Sequence, residues 1–221
     1  MMSSPSPKHR IFASLADIAQ AIGHASRLDI LEHLAQGELS VEDLAMRTGL
    51  SIANTSRHLQ ILRKARLAEP RRAGKRMIYH LVGETDVIVL LNALGKIGER
   101  NSAEIQLVMA NYFGKRDMLE PLTRAELLAR IKADDVLLLD VRPNDEYAKG
   151  HIPTAINIPL GEIKAQMASL PRDRLIVAYC RGPYCVFSVE AVALLRAQGF
   201  EVRRLEDGLP EWRTAGLMVE Q

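Results

Sequence analysis

The sequence predicts two domains, a mainly α winged helix-turn-helix half followed by an α/β half built around a central parallel sheet. Three observations predict this. At 221 residues the chain is comfortable for two domains of about 100 residues each. Apolar residues in the first half recur at spacings of three and four, punctuated by glycine. In the second half, short apolar runs alternate with amphipathic stretches, the texture of strands interleaved with helices. A hydrophobic content of 48% with 25% charged residues suits a globular protein that buries its core without staples. The opening MMSSPSPKHR lacks the apolar run of a secretory signal, and no apolar stretch reaches the ~20 residues that span a bilayer. The expected compartment is the cytoplasm, with no membrane partner.

In FASLADIAQAIGHASRLDILEHLAQG, Leu15, Ile18, Ala19 and Ile22, then Leu28, Leu31 and Leu34, mark two amphipathic helices, with Gly37 as a stop. SVEDLAMRTGL opens on Ser40, a good N-cap, and carries acids in its first turn, which suits the helix dipole; Gly49 ends it. Ser51 starts the next helix, SIANTSRHLQILRKARL. Its Ile52, Leu59 and Leu62 are expected to face the core, and Asn54, Thr55, Arg57 and His58 to face out. Two short helices across a glycine-containing turn make a helix-turn-helix. LAEPRRAGKRMIYHL reads as a β-hairpin wing whose tip carries Arg71, Arg72, Gly74, Lys75 and Arg76. From Thr85 to about Phe113 the helical period returns, with Val87, Leu90, Leu91, Leu94 and Ile97 along a face that needs a partner helix.

GKRDMLEP loses the period and closes on proline, which places a linker at 114–121 between domains at 1–113 and 122–221. Beyond it, VLLLDV, AINIP, LIVAYC and EVRRL read as strands. TRAELLARI, GEIKAQMASL, FSVEAVALLRAQG and LPEWRTAG read as helices. The net charge is only +2, yet Arg57 to Arg76 gathers eight basic residues against one acid, Glu69, a patch suited to a polyanion. The two cysteines, Cys180 and Cys185, share one short loop, and in a reducing compartment they read as reactive thiols.

The stretch SRLDILEHLAQGELSVEDLAMRTGLSIANTSRHLQILRKARLAEPRRAGKRMIYHL resembles the ArsR-type winged helix-turn-helix repressors. That resemblance implies a homodimer formed through the first and last helices and double-stranded operator DNA as partner. It makes Ser51 to Ala65 the recognition helix, presenting Asn54, Thr55, Ser56, Arg57, His58 and Gln60 to base edges. Arg and Asn are the side chains able to contact a base bidentately. Arg71, Arg72, Lys75 and Arg76 of the wing would hold phosphates; His58 is open to a packing role instead. Many members of the family sense metals, commonly through Cys-Val-Cys at the start of the first motif helix. Here Ser40-Val41-Glu42 stands in its place, and no histidine lies beyond His80 in this half, so neither common metal site is expected.

The second half resembles a rhodanese domain, a sulfurtransferase fold, on LLLDVRPNDEYAKGHIPTAINIP, LIVAYCRGPYCV and GFEVRRLEDGLPEWRTAG. It departs from the family at Thr154 and at Asp207-Gly208, where glycine and Gly-Gly are common. Cys180 ends a buried strand and a helix starts near Val186 or Phe187. The amides of Gly182, Pro183, Tyr184 and Val186's loop would therefore curl around an anionic sulfur, proline excepted for want of an N–H. Gly182 would permit that curl. A helix start and cations can lower a thiol pKa from about 8.5 to roughly 3.5–7.5. Cys180 is then the nucleophile that takes sulfur as a persulfide, Arg181 attracts the anionic donor, and Cys185 resolves what Cys180 acquires. With a loop bent into a half-circle and its ends on the order of 10 Å apart, a tri- or tetrasulfide fits better than a plain disulfide. Asp140, Arg142 and Glu146 are expected to form a polar network beneath the loop, with Trp212 and Tyr184 packing and lining it. A phosphatase would need arginine six positions after the cysteine, where Val186 stands.

Three functions stay open at this point. The first is a repressor whose operator binding responds to a small sulfur donor (thiosulfate, persulfide or polysulfide) at Cys180. The second is a sulfurtransferase whose winged helix serves dimerisation or promoter control. The third is a repressor responding to arsenite or a soft metal at the two thiols. No cofactor and no resident metal are expected.

Overall fold

The computed structural model describes residues 6–114 and 121–221; residues 1–5 of the Ser/Pro-rich start and 115–120 of the expected linker lie outside the described residues. The chain divides into two compact units, Met1–Val87 and Ile88–Gln221.

The first unit opens with α1 (Pro7–Ile22) and α2 (Ala25–Leu34), the latter capped by His24, whose Nδ1 accepts from the Ser26 amide at 3.1 Å. β1 (Leu39–Ser40) runs into α3 (Val41–Thr48). The predicted cap is a full capping box. The Asp43 amide donates to the Ser40 hydroxyl at 3.1 Å, and the Ser40 hydroxyl donates to the Asp43 carboxylate at 2.7 Å. Gly49 turns the chain at φ 67°, in the left-handed region where a side chain is strained, and delivers it to α4 (Ile52–Lys64). β2 (Ala68–Ala73) and β3 (Arg76–Leu81) pair antiparallel as the wing. β1 adds a third strand that two residues of sequence did not announce, pairing Leu39 with Tyr79. Ile30, Leu31, Leu44, Leu59 and Leu62 are fully buried at the centre of this unit.

Two facings on α4 differ from the expectation. Ile52 is 57% exposed, while Thr55 is fully buried with its hydroxyl donating to the Ser51 carbonyl at 3.0 Å. Thr55, Leu59 and Leu62 repeat at spacings of four and three and form the inward stripe; Ile52 shares that face by spacing but is the first residue of α4, at the open end of the helix, and stays exposed.

The expected helix from Thr85 to about Phe113 is broken. α5 (Glu84–Asn101) stops at Ser102, which leaves helical geometry and caps α6 (Ala103–Val108), and a π-helical turn, Met109–Gly114, follows. A Cβ at Gly98 would stand 2.8 Å from the end of the Ile105 side chain.

The remainder of the second unit is α7 (Arg124–Ala133), β4 (Val136–Asp140), α8 (Asn144–Tyr147), β5 (Ile156–Asn157), α9 (Ile163–Gln166), β6 (Leu175–Tyr179), α10 (Val186–Arg196), β7 (Val202–Arg204) and α11 (Leu209–Thr214). The four strands form the expected parallel sheet in the order β5-β4-β6-β7. GEIKAQMASL is not one helix but α9 between two 3-10 turns, Leu160–Glu162 and Met167–Ser169. Period two divides the core: Leu138, Val177, Tyr179 and Trp212 pack on one face of the sheet, and Leu139, Ile176, Ala178 and Val192 on the other. Cys180 continues the parity of Ile176 and Ala178, so strand geometry alone delivers it to the side covered by α10.

The capping box gives a prediction. The Ser40 hydroxyl holds the Asp43 carboxyl below its ordinary value of 3.8. A carboxyl depressed on folding stabilises the fold above its unfolded pKa and loses that contribution as pH falls through the folded one. Ser40→Ala is expected to lower the stability of the first unit by about 1 kcal/mol at neutral pH, the deficit shrinking as pH drops below 3.8. Thermal melts by circular dichroism would read the loss, while fluorescence of Trp212, the only tryptophan, should report an unchanged second unit.

Candidate functional site

The cysteine loop leaves β6 at Cys180 and enters α10 with Cys185 as its N-cap. The two sulfurs are joined as a disulfide, with the Cα atoms 6.2 Å apart. This corrects the half-circle expected from the sequence: the Cys185 amide donates to the Gly182 carbonyl at 3.1 Å, a turn that draws the ends into the range of a plain bridge. Both residues are buried, Cys180 to 2% exposure and Cys185 to 7%, within the core cluster beneath α10. In the bridged form residue 180 is therefore covered and carries no thiol.

Cys185 offers no side-chain cap to α10, and the first N–H groups of a helix have no intrahelical acceptor. The opening of this 11-residue helix is thus electropositive at the point where Tyr184 and Val186 are exposed. Gly182 does not adopt a positive φ, and a Cβ there would find ordinary contacts at 3.9 Å, so its expected special role in the curl is not seen. The glycine the loop requires is Gly208, whose Cβ would overlap the Arg181–Gly182 peptide. Leu209 then donates its amide to the Cys180 carbonyl at 3.3 Å, seating the loop on the start of α11. Beside it the Glu211 carboxylate accepts from the Gly208 amide at 2.9 Å, and burial pushes the Glu211 carboxyl above its usual range.

Two buried ion pairs lie under this loop. Asp140, at the end of β4, accepts from Arg142 at 2.6 Å, with both side chains fully covered, and Arg142 also donates to the Gly150 carbonyl at 2.8 Å. Glu146 sits on α8, a helical turn that the sequence did not reveal, and is fully buried; Arg181 grips it through Nε and Nη2 at 2.8–3.1 Å. The Arg181 guanidinium also lies 5.0 Å over the Phe187 ring. The expected free cation for an anionic donor is accordingly neutralised, because a buried carboxylate cannot be left unpaired. Pro183 is half-buried on the rim. Tyr184 reaches further than a lining residue: its hydroxyl donates to Glu99 on α5 at 2.6 Å, and burial followed by the Glu99 charge raises its pKa. Its ring occupies the space left by Gly95, where a Cβ would come within 2.9 Å of Cε2.

On the first unit, Asn54, Arg57 and Gln60 are exposed along α4 and Ser56 is half-buried. Thr55 is removed from the surface by its burial. His58 is turned inward, its ring 4.7 Å from that of His24, and burial, then the nearby cations, lowers its pKa. Of the wing cations, Arg71 is held by Glu38, Arg72 donates to the Gly74 carbonyl at 3.2 Å, and Lys75 and Arg76 stand exposed at the tip.

Gly208, Glu211, Gly95 and Glu99 are residues of this site that sequence reasoning missed. A signal existed for Gly95, since glycine inside a helix costs about 1 kcal/mol against alanine and implies a packing reason. None existed for Glu99, an unremarkable acid on a helix surface.

Comparison with known proteins matches residues 123–215 to the rhodanese-like domain family and residues 24–69 to the bacterial regulatory proteins of the arsR family. An HTH-type transcriptional regulator of Mycobacterium tuberculosis, Rv0324, is 44% identical over 214 residues, 97% of this chain and 93% of that protein. A sulfurtransferase of Allochromatium vinosum is 39% identical over 98 residues, 43% of this chain and 90% of that protein. A homodimeric winged helix-turn-helix DNA-binding domain from Mycobacterium bovis, a possible ArsR-family regulator, is 33% identical and covers 47% of this chain and 95% of its own, with a TM-score of 0.42.

The Asp140–Arg142 pair is open to test. Asp140→Ala leaves a buried guanidinium uncompensated and is expected to destabilise the second unit by about 3–5 kcal/mol. Urea unfolding followed by Trp212 fluorescence measures it, and adding Arg142→Met should recover most of the loss. A single-variant loss below about 1 kcal/mol would refute the pairing.

Proposed function

The chain belongs to the ArsR-type helix-turn-helix transcriptional regulators that carry a rhodanese-like domain, and from that premise we propose that reactive sulfur received at Cys180 sets its affinity for operator DNA. The observation that carries this reading is the bridge between Cys180 and Cys185 at the opening of α10. A loop able to join its own two cysteines has two covalent states, which is what a sensor needs.

The chemistry balances with a persulfide donor, RSSH. In the reduced loop the Cys180 thiolate attacks the outer sulfur, the S–S bond of the donor breaks, and RS⁻ leaves, so that residue 180 holds a persulfide. The Cys185 thiolate then attacks the inner sulfur, forming the Cys180–Cys185 bond and expelling HS⁻. Two thiols are oxidised by two electrons, and the sulfane sulfur of the donor is reduced to sulfide. The N–H groups at the start of α10 stabilise the anionic sulfur in both steps.

On the DNA side, Asn54, Ser56, Arg57 and Gln60 supply the exposed face of α4 for base edges, and Arg71, Arg72, Lys75 and Arg76 hold phosphates. Thr55 and His58 support α4 from within. Second copies of the chain supply the expected dimer partner, supported by the exposed apolar residues Ile11, Phe12 and Leu15 on α1 and Val89, Leu90, Leu94 and Ile97 on α5. The protein acts in this reading as a homodimeric repressor. Turnover as a sulfurtransferase is the second reading, favoured by the likeness of the second half to a sulfurtransferase; the bridge weighs against it, because it consumes the nucleophile that turnover must regenerate.

Gel-shift titration of the reduced full-length chain on its operator, with and without polysulfide at fixed salt, is expected to show a change in Kd of about 5- to 150-fold. Mass spectrometry of the treated protein should show the loss of two hydrogens. Cys180→Ser should abolish both effects; an unchanged response in that variant would sink the sensor reading, and sulfur transfer with full turnover would then favour the enzyme. Independently, Lys75→Ala should weaken binding to all sequences and reduce the salt slope by about one. Arg57→Ala should instead cost about 1–3 kcal/mol and relax base preference.

A further inference from the structure

We infer that Tyr184 is the link by which the state of the cysteine loop is passed to α5, and along α5 toward the DNA-reading unit from which that helix emerges; the inference rests on the function proposed above. Tyr184 directly precedes Cys185, so its backbone moves with the second sulfur. Its hydroxyl donates to the Glu99 carboxylate at 2.6 Å and its ring fills the space over Gly95. These two contacts are made by the exposed tip of the loop, with a phenol that stays protonated, and hence able to donate, well past neutral pH.

α5 is built for this. Asn92, Gly95 and Glu99 are spaced by three and four and share one face of an 18-residue helix. Alanine at residue 95 would favour the helix, yet its Cβ would collide with Tyr184, so the docked ring accounts for the glycine. Asn92 hydrogen-bonds the Glu211 side chain, which belongs to α11 and not to the cysteine loop. The helix is thus held at Asn92 by an element whose place does not depend on the sulfurs. One to two turns further on, at Gly95 and Glu99, it is held by a residue whose place does. A fixed contact beside a conditional one converts loop closure into a tilt or shift of α5. The other side of the same helix carries the exposed apolar residues Leu90, Leu94 and Ile97, so any displacement is delivered to the surface proposed for the second copy.

The bridged loop holds the Cα atoms of residues 180 and 185 at 6.2 Å and with them fixes Tyr184 against α5. Reduction, or persulfide on Cys180 alone, removes that tether and releases the tyrosine from the Gly95 notch. Sulfur chemistry needs only the cysteines and the amides of α10, so Tyr184 is a coupling residue and not a catalytic one.

The test compares full-length wild type, Tyr184→Phe and Glu99→Ala, each fully reduced and each treated with polysulfide. Mass spectrometry reads the loss of two hydrogens, and gel-shift at fixed salt reads the ratio of Kd between the two states. Wild type is expected to bridge and to show a ratio of about 5- to 150-fold. Both variants should bridge to the same extent with the ratio cut at least fivefold, toward one. Variants that bridge and keep the wild-type ratio overturn the link while leaving the proposed sensor intact. A wild-type chain that bridges with no change in Kd overturns both. Glu99→Ala leaves the loop sequence untouched, so a bridging defect in Tyr184→Phe alone would not decide the matter, and the Glu99→Ala ratio would.

Discussion

The pairing of buried charge beneath the cysteine loop is the constraint on which the rest of the second unit depends. Taking a carboxylate or a guanidinium out of water costs several kcal/mol per ion, and only close, multiply bonded partners offset it. Asp140 and Arg142 meet that condition at the end of β4, with the Gly150 carbonyl taking a further Arg142 donor and the Asn157 amide bonding the carbonyls of both residues. Glu146 is gripped by Arg181, which leans down from the loop. The loop therefore cannot wander far from α8 without breaking a hydrogen-bonded ion pair on a buried carboxylate. Gly208 and Leu209 close the opposite side by backbone contact. What remains free to change is the far half of the loop, Pro183 to Cys185, which is the half that carries the second sulfur and Tyr184.

This division has a chemical consequence. In the function proposed above, with Arg181 held by Glu146, the opening of α10 offers a donor a partial charge of about half a unit. A doubly charged donor such as thiosulfate gains less from that site than a full cation would have offered. A singly charged organic persulfide, with less charge to satisfy, loses little. The burial of Cys180 to 2% adds a steric term in the same direction, since only the loop in its unbridged state can admit a donor.

Much of the fold was legible in the sequence because its signals are local. Ser40 with Asp43 three residues later is a capping box in any context, Gly49 is a C-terminal stop, and the parity of Ile176, Ala178 and Cys180 fixes the face on which the first cysteine lies. The break between α5 and α6 was not legible, because periodicity alone carried a helix across Ser102. What was not legible depends on partners distant in the chain. Arg181 is separated by 35 residues from the Glu146 that neutralises it, and Tyr184 by 85 from Glu99. Both look like ordinary surface residues until the fold brings the partners together. The loop's span was misjudged because a count of residues bounds only its maximum length, whereas the Cys185–Gly182 turn sets its actual one.

The energies involved are of matching size. Allosteric coupling between two sites typically amounts to about 1–3 kcal/mol, and a hydrogen bond to a charged group contributes about 1.5–3 kcal/mol. The Tyr184–Glu99 bond is partly exposed, so its share lies toward the lower end of that range. On the link inferred above, one such contact, made in one covalent state of the loop and lost in the other, would supply a useful response without remodelling the sheet or either buried ion pair. The same reasoning explains why the conditional contact stands near the surface and the unconditional ones in the core. A switch built on Asp140 and Arg142 would put several kcal/mol of stability at risk with every change of state, whereas a tyrosine at the rim can leave its notch and return while the domain beneath it stays folded.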